Sequence, residues 1–138
     1  MGALAIVFTF MFVAGAFWFG RNGVPLPKPL GSRSCQGAGW RSAFPSTSKE
    51  EIRSFLSVFI EAFLFHERHR LKFNPGDSIF GIYRAMYPHK WQPDGLELET
   101  LAASIEKKYG VRLAEVWSKS LTLGELFARI HGGSRGSQ

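Results

Sequence analysis

A single cysteine, Cys35, leaves this chain without an internal disulfide framework and without a thiolate zinc site. No charged side chain precedes Arg21, and no acidic residue precedes Glu50. No stretch alternates apolar and polar residues with the two-residue period of a half-buried strand, and no internal repeat recurs. A nucleophile–base pair, a phosphate-binding glycine loop and a carboxylate pair at an informative spacing are all missing. The sequence therefore reads as non-enzymatic.

The charge-free start is almost wholly apolar, "ALAIVFTFMFVAGAFWF". A helix over this run would cover roughly 30 Å, the hydrocarbon thickness of a bilayer. A cleaved secretory signal would want a basic lead and a shorter apolar core. Here nothing basic precedes the run, and Phe17, Trp18 and Phe19 extend it in the manner of an interfacial aromatic belt. The expectation is a transmembrane helix over 1–20, with residues 2–19 in the lipid bilayer. Arg21, Lys28, Arg33 and Arg41 all follow it, which predicts a single-pass membrane location with the C-terminal part cytoplasmic.

The formal charge of +6 has the same origin. Five of the seventeen basic residues precede Glu50, leaving twelve against eleven acidic ones in the remainder. An excess confined to the flank of a span suits anionic lipid. A nucleic-acid domain would carry it on the folded part, so no nucleic-acid partner is expected. Residues 21–46 hold four of the seven prolines with many Gly and Ser and read as a basic linker, from which Trp40 and Phe44 could dock back. Cys35 reads as a linker thiol, since "GSRSC" lacks the small and aliphatic residues of a lipoprotein signal.

The folded part opens at "STSKEEIRSFLSVFIEAFLFHERHR". Ser48 and Glu51 form a capping box, and Ile52, Phe55, Leu56, Phe59 and Phe63 form one apolar stripe, predicting a helix from Lys49 to about Arg68. "LKFNPGDSIFGIYRAMYPHKWQP" is a loop with a short helical turn over Ile79 to Met86, capped by Asp77 or Ser78. Asp94 with Glu97 predicts the start of the next helix, Leu98, Leu101, Ala102, Ile105 and Tyr109 its buried stripe, and Gly110 its end. Thr122 with Glu125 opens the last helix, and Gly132 is expected to stop it.

In order and in wording these elements resemble the acyl and peptidyl carrier protein family across about Ser48 to His131. The likeness is carried by Asp94-Gly95-Leu96, by Tyr109-Gly110-Val111 and by "IEKKYGVRLAEVWSKSLTLGELFARI". "NPGDSIF" resembles the part of the family's first loop that anchors it to the core, with Ile79 or Phe80 inward. The fold class expected is thus all-α: the transmembrane helix (1–20), the linker (21–46), a small carrier-like bundle of three or four helices (47–132) and a flexible tail (133–138).

The resemblance places Gly95 where carriers attach phosphopantetheine to a serine. Glycine has no side-chain oxygen to esterify, so no cofactor is expected there. Asp77-Ser78-Ile79 is a second Asp-Ser-aliphatic triplet, and a true carrier modified on Ser78 is the alternative. The ten residues that follow Ser78 reach Pro88, too few for a carrier's long second helix. The function implied is a membrane-anchored, non-enzymatic module that binds a protein partner, itself membrane-associated, through Asp94, Glu97, Glu99, Tyr83, Tyr87 and Trp91. A structural subunit of a membrane complex is the further alternative. The acids of that surface also suit a helix start without any partner. No metal site is expected: His66 and His69 in "HERH" find no second half in His89, His131 or a cysteine, and read as a solvated helix end.

Overall fold

The computed structural model describes residues 23–87 and 95–136. In chain order its helices are α1 Lys28–Gly31, α2 Gly37–Ala43, α3 Lys49–Ala62, α4 Ile79–Met86, α5 Leu96–Tyr109, α6 Leu113–Val116 and α7 Leu123–Gly136, with a 3-10 helix Glu67–Lys72 between α3 and α4. Among the described residues there is no strand, only isolated bridges joining Val24 to Phe65 and Ser78 to Thr122.

The central element is α3, which packs against both the 3-10 helix and α5. Ser48 caps it as its spacing from Glu51 requires, accepting the Glu51 N–H at 3.2 Å. The helix ends at Ala62 instead of continuing to Arg68. Leu64 stands in the left-handed conformation (φ 62°), the Phe65 N–H reaches back to the Ile60 carbonyl at 2.9 Å and the Leu64 N–H to that of Glu61. This is a Schellman stop, with Phe65 set against Phe59 as its apolar contact. Glycine usually holds the position that Leu64 occupies. Because Leu64 is exposed, Leu64→Gly should remove backbone strain at little cost in packing. A gain of about 0.5–1 kcal/mol in urea unfolding is expected, after allowing for the greater freedom of glycine in the unfolded chain.

Two aromatic groups fill the core. Phe59, Phe63, Phe65 and Phe73 cluster below the stop, with Phe59 and Phe73 edge to face at 5.0 Å. Trp40, Phe44, Phe55 and Phe127 form the other, in which the Phe127 ring lies 4.7–5.7 Å from the other three. Edge-on contacts of this kind add to the area that such rings remove from water.

The second group draws in the basic linker. Of the two courses open to it, residues 24–44 take the docked one and pack on the core instead of forming a free tether. Leu30 is buried and Trp40 is 1% exposed. Polar bonds run along the segment: Val24 N–H to the Leu64 carbonyl (2.6 Å), Gln36 N–H to that of Leu71 (2.7 Å), Trp40 Nε1–H to that of Phe73 (2.8 Å). Arg33 grips Asp77 with both terminal nitrogens, at 2.7 and 3.0 Å.

The start of α7 is fastened to the loop before α4. The Leu123 and Gly124 N–H groups donate to the Asp77 and Pro75 carbonyls, and Ile79 N–H to that of Leu121. A Cβ on Gly124 would stand 2.9 Å from the Pro75 carbonyl oxygen, so this approach requires glycine. Thr122 and Glu125 make the reciprocal cap read from the sequence. However, α7 passes Gly132 and runs to Gly136, so the expected stop and the start of the tail at 133 are corrected. Glycine lowers helix propensity, but ends a helix only where it turns left-handed, as Gly110 does (φ 70°) and Gly132 does not.

The membrane expectation is also corrected. Among the described residues no helix is long and apolar enough to cross a membrane. Their longest helices have 14 residues, about 21 Å, short of a bilayer's roughly 30 Å core. The span expected over 1–20 lies outside the described residues. The described residues form an all-α architecture in which no helix could span, and the single-pass membrane location is not supported.

Candidate functional site

The start of α5 is where the carrier resemblance would put its chemistry. The residue preceding the helix is Gly95, in the left-handed conformation with φ 74°. Capping by Asp94 is therefore replaced: Gly95 holds the cap position, and Asp94 itself lies outside the described residues, as does Trp91. The Gly95 N–H donates to the Tyr83 hydroxyl at 3.0 Å. One turn further on, at the residue that closes α4, the Tyr87 hydroxyl donates to Glu97 Oε1, and the two tyrosine rings meet edge to face at 5.3 Å. Thus α4 pins the first turn of α5 through two phenols.

This arrangement divides the residues expected to meet a partner. Tyr83 and Glu97 are 4% and 8% exposed, so they hold the domain together rather than face outward. Tyr87 is half-buried against Glu97, while Glu99 is exposed. Among the described residues, Glu97 Oε2 is buried without a hydrogen-bond partner. Its carboxylate sits in the first turn of α5, where the helix dipole favours negative charge. The outward residue that sequence reasoning passed over is Leu96, 58% exposed at the first position of the helix. Its place directly after Gly95 was the available signal.

Among the described residues a Cβ on Gly95 meets nothing within 4 Å, but the backbone is strained for any L-residue. Gly95→Ser should cost about 1 kcal/mol and lower the melting temperature by about 4–8 °C, read by thermal denaturation.

Ser78 is engaged elsewhere. Its hydroxyl accepts the Gly81 N–H at 3.1 Å, capping α4, and donates to the Lys119 carbonyl at 3.0 Å. Its neighbour Ile79 is fully buried, the inward residue of the loop. No family model, curated protein or solved structure matches this chain.

The "HERH" stretch lies on the 3-10 helix, not on a continuation of α3. The His66 and His69 ring centroids are 6.5 Å apart, and among the described residues no group of three potential metal ligands forms. Burial, then the nearby Arg68, His66 and Lys72 charges, hold the His69 imidazole below its ordinary pKa. Its Nε2 accepts from Arg68 Nε at 3.3 Å, a bond that only the neutral ring can make. The unfolded chain thus binds this proton more readily than the folded one. Stability should be fully present above the ordinary histidine pKa and decline as pH falls below it. Urea midpoints at about pH 7 and 5 should differ less in His69→Gln than in the parent.

Proposed function

We propose that this chain is a carrier-like helical module that has no cargo-attachment site and works by binding a protein partner through the exposed start of α5. The observation that carries the reading is Gly95 at the head of that helix, where a carrier presents its serine oxygen. The engagement of the Ser78 hydroxyl in two hydrogen bonds supports it, because esterifying that oxygen would remove its donation to Lys119. The surface itself combines the apolar Leu96 with the acid Glu99. An apolar contact beside a charge suits a partner with an apolar pocket bordered by Lys or Arg, the charge setting orientation more than strength.

The reading involves no catalytic step and no cofactor. It is tested with a photo-crosslinking residue placed at Leu96 or Glu99, and at the exposed Glu61 of α3 as control. Crosslinks to one protein from the first two positions and none from the control are expected. Equal labelling from all three, or from none, would overturn the assignment of this surface.

A further inference from the structure

A separate cleft of about 180 Å³ opens between α2 and the start of α3, and it shares no lining residue with the surface around Leu96. Its apolar lining is the half-buried Leu71 beside the edges of the buried Trp40 and Ile52, and the exposed Cys35 also lines it. Three cations border it: Arg41 from α2, with Lys49 and Arg53 one turn apart on α3. Among the described residues no carboxylate lines it. Among the described residues, the ion pairs are Arg33–Asp77, Arg70–Glu67 and Arg112–Glu106, so none of these three cations is neutralised by a salt bridge.

Like charges gathered on adjoining turns repel, and an isolated domain gains nothing from setting them around a hollow. A bound anion would turn that repulsion into attraction. Two guanidinium forks suit the oxygens of a phosphate, each able to give paired hydrogen bonds, and Lys49 adds a point charge. The apolar lining would receive a non-polar body attached to the phosphate. The volume falls below the roughly 300–1,000 Å³ of pockets that hold larger ligands, which favours a ligand smaller than a complete nucleotide or coenzyme.

We propose that this cleft binds a small organic phosphomonoester, its phosphate held by Arg41, Lys49 and Arg53 and its apolar part resting on Leu71. Cys35 reports occupancy, because it is the chain's single cysteine and is exposed at the cleft. The experiment follows alkylation of Cys35 in the full-length chain by the neutral reagent iodoacetamide, with inorganic phosphate, phenyl phosphate or sodium chloride at matched ionic strength. Both phosphates are expected to slow alkylation several-fold in a saturable manner, phenyl phosphate at lower concentration, and sodium chloride to leave it unchanged. Protection should disappear in the Arg41→Gln, Arg53→Gln double variant. Both side chains are exposed, so that variant should keep the parent's circular dichroism spectrum. Equal slowing by sodium chloride, no slowing by either phosphate, or full protection in a folded double variant would overturn the proposal. So would phenyl phosphate acting no better than inorganic phosphate.

Discussion

Trp40→Ala is expected to cost about 3–5 kcal/mol in urea-induced unfolding, a large share of the roughly 5–15 kcal/mol that holds a domain of this size together. The indole is 1% exposed and its Nε1–H donates to the Phe73 carbonyl. Its ring meets Phe55 on α3 and Phe127 on α7, so its loss would open a cavity where α2, α3 and α7 converge. The deletion would also leave the buried Phe73 carbonyl short of a donor. Trp40→Phe should recover most of the packing but not that hydrogen bond, and fall between the two. A cost under about 1 kcal/mol for Trp40→Ala, the size of an ordinary surface change, would mean that residues 24–44 do not hold to the core.

Asp77→Ala should be the next most damaging, at about 2–3 kcal/mol. Its carboxylate, 13% exposed, receives both Arg33 nitrogens and the Asn74 N–H at 2.7 Å. It therefore ties the docked segment to the turn on which α7 is also fastened. The pairing holds the Arg33 guanidinium above its ordinary pKa, chiefly through the hydrogen bonds to Asp77. The pair is partly solvated, which keeps the expected cost below that of a fully buried one. A double-mutant cycle with Arg33→Met isolates the pair. A coupling near zero would mean that Asp77 acts only through the Asn74 turn.

Where side chains answer backbone groups three residues away, the sequence could be read directly. Ser48 with Glu51 and Thr122 with Glu125 both close as their spacing requires. Gly110 ends α5, and Ser78 caps α4 over the expected Ile79–Met86. What was not legible depends on distant partners or on an unusual residue at a familiar position. α3 was extended too far because leucine, not glycine, occupies its left-handed stop. The docking of residues 24–44 rests on a tryptophan whose acceptor is 33 positions away.

The helical pattern puts Glu97 on or near the exposed side of α5, whereas the structure buries it. Its burial accompanies the hydrogen bond from Tyr87, the residue that follows α4. Leu96 shows the converse: in a helical pattern it reads as one more apolar residue, and only the register set by Gly95 turns it outward. Hydropathy gave the first twenty residues a spanning helix, whereas the described part of the chain contains none that could span.

The central proposal is that a domain whose sequence resembles the carriers has no attachment point for their cofactor. The most direct test is the intact mass of the full-length chain purified from its own cells, with peptide mapping over residues 74–87 and 95–109. The account predicts no phosphopantetheine on either segment, because Gly95 has no oxygen to carry it and the Ser78 hydroxyl is committed to Gly81 and Lys119. A phosphopantetheine-sized addition mapping to Ser78 would contradict the account and make the protein a working carrier.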